Sequence, residues 1–515
     1  MLDTRILNSL LPVGVGLEAL VKIAGATILV VGSLSIAYVI VYRIFFHPLA
    51  EFNGPLLAKF SNLYAAYHAW KGDIHVDIWR CHQKYGDRIR YGPDRIVINT
   101  PRALQDIYGH GAPVKKYDGY NVLASQAPNL LTLSDKAQHS RRRRVISQAF
   151  SEGSLKLFEP VLVSRIHRFC ATLRNEIKVG GEWSKPLDMT RQFSYLTFDS
   201  MTAVAFGVDY NALQNPQFRY VMEMIQKANV RLSVMFQTPG IGFGRLDRKL
   251  FPDSTTAGYT FAKFLRRLLK TRLADENGSK DIFWFLQQCQ DPDTGLPLTT
   301  KELSTETATF LVAGSDTTST TMSALSHYLA ACPEYYKQVI EEIRSTFVTK
   351  DEICLGPKLN SCVFLRACID EALRLSPPGG ASFWREVETG GARIGDDFFP
   401  EGTLVGVGIY AIHHHADFWE EPFTFKPKRW LRKSMTESKL PYSPFGHGPR
   451  SCIGKPLAIN QLMLTFALIF WEFDFRKSSS TEARDENGIG NVEYELKEHI
   501  SGHGAGPLLC FRAQC

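Results

Sequence analysis

From residue 23 to residue 42 the chain carries no charge across twenty positions, and Lys22 and Arg43 bracket the run. A helix of that length spans about 30 Å, the thickness of a hydrocarbon core, so the pattern predicts a membrane-spanning helix. Tyr42-Arg43-Ile44-Phe45-Phe46 follows, an aromatic and basic border suited to a membrane interface. A cleaved signal peptide has a shorter apolar region and a small-residue cleavage site, which this stretch does not match. From Arg43 to Pro55, His47-Pro48 and Gly54-Pro55 surround Phe52 and predict a stiff, non-helical hinge. Beyond it, helical periodicity dominates. Ser134 is placed to cap a helix running from Asp135 towards Phe150. The middle, Glu152 to Pro297, reads as successive amphipathic helices. Thr299 and Glu302 form a capping box for a helix reaching Cys332, where Pro333 stops it, roughly 50 Å at 1.5 Å per residue. Another helix runs from Cys362 to Leu375 and ends at Pro377-Pro378. Gly402-Thr403 and Val405 to Ile409 read as short strands. Leu457 to Phe473 is an apolar helix, Arg476 to Gly490 a charged loop, and Glu493 to Arg512 suggests terminal strands.

The division expected is a tail over 1–22, an anchor over 23–42, a hinge over 43–60 and one large unit over 61–515. Its class is mainly α with small β-sheets, and no internal repeat is visible. Hydrophobic content of 44% with 22% charged residues describes a globular chain and excludes a disordered one. A net charge of +7 is mild for 515 residues and gives no reason to expect nucleic acid. Ten cysteines are scattered without a Cys-x-x-Cys, which argues against a zinc ribbon or a disulfide scaffold and for reduced thiols facing the cytosol. Charge does not settle the anchor's orientation, since Arg5 and Lys22 on one side balance Arg43 and Lys59 on the other. Asn277-Gly278-Ser279 is a sequon that would stay bare in the cytosol. His413-His414-His415 is a poor metal site, because consecutive residues do not share a face. Gly240 to Gly244 is too irregular for a nucleotide fingerprint.

The chemistry concentrates at Phe445-Gly446-His447-Gly448-Pro449-Arg450-Ser451-Cys452-Ile453-Gly454. One reading makes Cys452 a buried core cysteine in a glycine-rich turn. The other makes it a thiolate ligand to haem iron. In that reading Gly446 and Gly448 allow a tight turn with positive φ, Gly454 lets the next helix approach a flat ligand, Phe445 shields the sulfur and Arg450 pairs with a propionate. A phosphate loop fails, because five residues separate Gly448 from Gly454 and Pro456 stands where Ser or Thr is needed. The long helix breaks its own rules at Ala313-Gly314-Ser315-Asp316-Thr317-Thr318, where poor helix formers cluster, a mark of function rather than of a plain polar face. In the basic helix, His139, Arg143, Ile146 and Phe150 share one face, and an apolar face carrying His and Arg calls for an anion.

The spacing Phe-x-x-Gly-x-Arg-x-Cys-x-Gly, filled at every fixed position, resembles the haem-binding signature of the cytochrome P450 family. Ala-Gly-x-Asp-Thr-Thr from Ala313 resembles its oxygen groove, and Glu371-x-x-Arg374 its structural Glu-x-x-Arg. The resemblance runs over nearly the whole chain, and the hinge and basic helix are most similar to membrane-bound fungal members that tailor secondary metabolites. It implies a triangular, mainly α haem domain behind one transmembrane helix, on the cytosolic side of the endoplasmic reticulum membrane. Cys452 is then the axial ligand of haem b. Arg143, Arg385 and Arg450 would hold propionates, with His139 in place of the usual Trp. Asp316 and Thr317 would be the acid–alcohol pair that delivers protons, with Asp316 fed from solvent, and Ala313 and Gly314 would leave room for oxygen. Arg429 would complete a buried triad with Glu371 and Arg374, although Lys428 stands where Glu is usual. Tyr120, Val122, Ser382 and Phe383 would line the substrate pocket. Arg141, Arg142 and Arg144 would present a docking surface to an acidic redox partner. The implied reaction inserts one oxygen atom into a small lipophilic molecule, with NADPH acting through cytochrome P450 reductase and cytochrome b5 as an optional second donor. Desaturation, phenol coupling and ring closure stay open as outcomes of the same site. A non-catalytic haem sensor or carrier has no use for a proton-delivering Asp-Thr pair.

Overall fold

The computed structural model describes residues 17–124, 127–177, 182–275, 280–290, 295–431, 441–478 and 493–514. Part of the expected tail, the sequon at 277–279 and most of the expected charged loop lie outside these residues.

The apolar run forms a helix over Leu17–Val41, and no residue of the span from Glu18 to Phe46 is buried in the rest of the chain. The expected hinge begins later than its composition suggests. Tyr42–Phe46 is a π-helical turn, closed by the His47 N–H donating to Tyr42 O at 2.8 Å. The non-helical path starts at His47 and runs through turns closed by Ala50 N donating to His47 O and Phe52 N to Leu49 O. It is pinned to the protein by the buried Arg90 guanidinium, which donates to Arg43 O at 2.7 Å, Leu49 O at 3.3 Å and Pro93 O at 2.6 Å. Phe52 is buried and stacks on Phe399.

The basic helix covers Lys136–Ser147, and Asp135 caps it, not Ser134. Asp135 Oδ1 accepts from Gln138 N at 2.6 Å, while the Ser134 carbonyl is taken by Arg450 at 2.7 Å. The middle supplies helices at Glu152–Asn175, Met189–Phe206, Tyr220–Gln237, Pro252–Leu273 and Ile282–Gln288. The long helix runs Thr300–Ala331, with both arms of the Thr299–Glu302 capping box formed. It packs along Met189–Phe206 and crosses the middle of the molecule.

Two large apolar clusters flank it. One joins Phe193, Met322 and Leu325 to Phe466 and Phe470 of the Lys455–Glu472 helix. The other joins Phe150, Phe310 and Leu311 to Leu457. Fully burying one such side chain contributes about 1.5–3 kcal/mol, so these clusters make firm walls for the space between them.

The largest sheet has five strands in the order Arg88–Gly92, Arg95–Ile98, Leu404–Gly406, Arg385–Val387 and Val114–Lys116. Only the second and third pair in parallel. The strand expected to reach Ile409 stops at Gly406, and Ile409–His413 is helical. Burial on all sides decides this: every residue of that turn is in the core, where the β-branched signal of Ile409 and Ile412 carries no preference for a strand. At the C-terminus, Lys497–His499 and Ser501–His503 form a hairpin, and Leu508–Ala513 pairs with Phe473–Lys477.

Candidate active site

The glycine-rich loop ends at Cys452, directly before the Lys455–Glu472 helix. Gly446 and Gly448 take φ values of +72° and +68°, the left-handed conformation their turn needs. At Gly448 there is also no room: a Cβ would lie 1.9 Å from Tyr108 O. The Cys452 N–H donates to Phe445 O at 2.7 Å and closes the loop. Its sulfur opens onto an internal cavity of 360 Å³, shared with Phe445, Gly446 and Gly454. A Cβ on Gly454 would lie 3.9 Å from that sulfur. Burial pushes the Cys452 thiol up, while the backbone N–H groups of Gly454 and Lys455 and the charge of Arg143 favour the thiolate.

One rim of the cavity is crowded with cations. Arg143, Arg385, Arg450 and Lys116 all line it, and none forms an ion pair with a carboxylate among the described residues. They donate to backbone carbonyls instead. Arg143 reaches Ser451 O at 2.7 Å, Arg450 reaches Leu133 O and Ser134 O at 2.6 and 2.7 Å, and Arg385 reaches Trp384 O at 2.9 Å. Lys116 donates to Leu131 O and lies over the Tyr120 ring, 4.5 Å from its centroid. Burial and then the neighbouring Arg385 and Arg450 hold Lys116 well below the usual lysine range. His139 sits among these groups and is pushed down to about 3 by burial and by Arg450, Lys116, Arg143 and Arg385, so it is a neutral donor or acceptor. Unpaired buried cations call for an anion. The donor set therefore fits a flat dianionic group with a metal facing the sulfur, which is what haem presents.

Lys116 was not legible as a site residue. A faint signal exists: in the three-residue strand Val114–Lys116, Lys115 turns outward to Glu386 at 3.2 Å, which by strand alternation turns Lys116 inward.

Ala313, Gly314 and Thr317 of the long helix line the same cavity as the sulfur. Gly314 is small for a packing reason too, since a Cβ there would lie 2.7 Å from Met201 Sδ on the neighbouring helix. The Thr317 hydroxyl donates to Ala313 O at 2.7 Å. Asp316 does not line the cavity. It is buried and turned to the C-terminal hairpin, where its carboxylate accepts from Ser501 Oγ at 3.1 Å.

Behind the cysteine loop, Glu371 accepts from Arg374 at 2.9 and 3.1 Å, from Arg429 at 3.1 Å and from Trp430 Nε1 at 2.9 Å. Arg429 thus completes the triad as expected, and Lys428 in place of Glu is exposed and outside it. The triad is tied to the loop by His413. Its Nδ1 lies 3.2 Å from Arg374 O, and its Nε2 accepts from Ser443 N at 3.0 Å. The first of the three consecutive histidines is therefore a buried brace.

Tyr120 and Phe383 line the cavity, but two expected wall residues do not. Ser382 is buried in a β-bridge to Gly408 and packs on Gly406. Val122 packs on the apolar cluster of Ile74, Tyr91 and Trp384. Arg142 is not a docking residue either: it reaches Glu306 at 3.1 Å and also pairs with Glu302, which fixes the basic helix to the long helix.

The family model for cytochrome P450 matches residues 54–497. The chain is 45% identical to a protein of Penicillium oxalicum named cytochrome P450 monooxygenase poxM, over 95% of each chain. It is 40% identical to cytochrome P450 monooxygenase atnE of Emericella nidulans, over 93% of this chain and 95% of the relative. It is 37% identical to cytochrome P450 monooxygenase AKT7 of Alternaria alternata, over 94% and 97%.

Proposed function

The chain belongs to the cytochrome P450 family, and from that premise we propose that it inserts one atom of O2 into a small lipophilic substrate of fungal secondary metabolism, at a haem held by Cys452. The observation that carries this reading is one cavity that joins the Cys452 sulfur, the Ala313–Thr317 face of the long helix and a rim of cations without carboxylates.

Bound haem supplies oxygen activation, which an axial thiolate favours. The remaining work falls to the chain. Arg143, Arg385, Arg450 and Lys116 hold the propionates, and neutral His139 adds a hydrogen bond. Phe445 covers the sulfur. Ala313 and Gly314 keep the helix surface low, and the Thr317 hydroxyl holds a proton donor beside the reacting centre, resupplied through Asp316. Tyr120, Leu130, Phe310 and Phe383 give the cavity an apolar lining that selects a lipophilic substrate. The Leu17–Val41 helix anchors the enzyme in the endoplasmic reticulum membrane, with the catalytic part in the cytosol. Electrons come from NADPH through a separate reductase.

The test is deletion of the gene in its host, followed by comparison of metabolites by mass spectrometry. An accumulated compound that lacks one oxygen relative to the lost product establishes the monooxygenase and delivers the substrate. A difference of two hydrogens shows desaturation or coupling instead.

A further inference from the structure

The buried carboxylate of Asp316 leads away from the cavity to a histidine at the protein's edge. His503 Nε2 stands 3.4 Å from Asp316 Oδ2, the oxygen that also accepts from Ser501 Oγ. Ser501 Oγ and His503 Nε2 are 3.2 Å apart, so the three groups form a closed triangle. The other ring nitrogen of His503, Nδ1, is 3.5 Å from Gln226 Nε2 on the Tyr220–Gln237 helix. The His503 side chain is 15% exposed and that of Asp316 only 6%. One imidazole thus joins a buried acid to the outer surface.

The hairpin that carries Ser501 and His503 is fixed from several sides. Thr320 Oγ donates to Gly502 O at 2.7 Å, Gly502 N donates to Pro378 O at 2.7 Å, and His499 Nδ1 lies 2.9 Å from Ala69 O. At its tip Ile500 has φ +71°, a conformation that a β-branched residue rarely adopts. Strain of this kind persists only where the surroundings impose it, and it collects at functional sites. Here it turns Ile500 into the cavity while its neighbour Ser501 meets Asp316.

We propose that His503 passes protons from solvent to Asp316, with Ser501 as the bridging hydroxyl. The inference rests on the reading of Asp316 and Thr317 as the acid–alcohol pair. A proton taken up from water at Nδ1 makes the imidazolium. The Nε2 proton then moves to Ser501 Oγ as the Ser501 hydroxyl proton moves to Asp316 Oδ2. One proton enters, one is delivered, the serine is restored, and the neutral ring regains its first tautomer by exchange with water. Imidazole suits this task because its ordinary titration range lies between about pH 5 and 8. The groups that face His503 are Asp316 from the long helix, Lys497 and His499 from the paired strand, and the uncharged Gln226. His503 acts through Asp316 and is a positioning and proton-supplying residue.

The test uses the full-length holoenzyme with its reductase and NADPH, without added substrate, and reads hydrogen peroxide released per NADPH. His503→Gln keeps a hydrogen-bonding side chain. It is expected to raise that ratio towards its ceiling of one peroxide per NADPH and to flatten its pH dependence between about pH 5 and 8, with the carbon monoxide difference spectrum intact. Ser501→Ala is expected to raise it in the same direction, and Thr317→Ala at least as strongly. A second readout needs no turnover. In the reduced, carbon monoxide-bound protein labelled with 13C-histidine, the His503 resonance is the one lost in His503→Gln. Asp316→Asn is expected to move that resonance, because it replaces the carboxylate that stands 3.4 Å from the ring. An unmoved resonance overturns the Asp316–His503 contact. An unchanged peroxide ratio and pH profile in His503→Gln, with Thr317→Ala still raising the ratio, overturns the relay and leaves the acid–alcohol pair standing. No change in either variant overturns both.

Discussion

Lys116 and Arg385 are register partners on adjacent antiparallel strands, both buried. Like charges directly opposite destabilise a sheet, and the pair becomes favourable only when an anion lies between or beside them. In the proposed holoenzyme the propionates would be that anion. Lys116→Met keeps the apolar stem and removes the charge. A hydrogen bond to a charged group contributes about 1.5–3 kcal/mol, so the variant is expected to lose haem to an apomyoglobin acceptor about tenfold faster. An unchanged transfer rate would assign Lys116 to the sheet alone.

Cys452→Ser tests the ligand itself. The loop around it is closed by backbone bonds and by Gly446 and Gly448, none of which needs the sulfur. The variant is therefore expected to fold and to lose the thiolate-type spectrum of the reduced carbon monoxide complex. Retention of that spectrum removes Cys452 as the ligand.

Glu371→Gln leaves Arg374 and Arg429 buried without their counter-charge. Breaking a buried pair by removing one partner typically destabilises by about 3–5 kcal/mol. A large fall in thermal midpoint and a poor yield of haem-loaded protein are expected, and a midpoint within a degree or so of the parent's, on the order of experimental scatter, contradicts the structural role. Burial alone pushes Glu371 up, but Arg374 and Arg429 hold it below the ordinary range. Its stabilising contribution is therefore present above the ordinary glutamate value and is lost in acid, as pH falls through the lowered one.

Glu306 has the opposite sign. Burial pushes it up to about 7, against the Leu130 N–H and Arg142, which favour its charge. The folded protein holds this proton between the ordinary glutamate value and about 7, whereas the unfolded chain has released it. Stability from this group therefore falls as pH rises through that window. Glu306→Gln is expected to flatten the decline in thermal midpoint measured from about pH 5 to 8. Parallel pH curves for the two proteins would contradict the assignment.

Much of the site could be read from the chain because its chemistry is local. The Thr299–Glu302 box, the positive-φ glycines around His447 and the Glu371–Arg374 spacing each depend on residues a few positions apart. What escaped depends on distant partners. Asp316 meets a serine 185 residues away, and Arg142 meets Glu306 across 164. Helical periodicity places a residue on a face but does not say what lies opposite. Ser382 and Val122 fail for the same reason, since a loop's inward side is set by the sheet it joins. Gly314 was legible as small, but its packing reason, Met201, sits on another helix. The three histidines from His413 show a spacing argument reaching its limit: it disfavoured a metal and was silent on the brace.

The grip of Arg90 on the carbonyls of Arg43 and Leu49 sets where this enzyme can be cut into a water-soluble version. Among the described residues, a cleavage point ahead of Arg43 discards only the exposed apolar helix. Moving it past Phe46 strips an acceptor from a fully buried guanidinium, at a cost of about 1–3 kcal/mol, and loosens the first strand from the segment it clasps. The seam between the exposed apolar helix and the rest of the fold runs through Arg43, whose carbonyl accepts from Arg90 and whose guanidinium donates to Phe60 O.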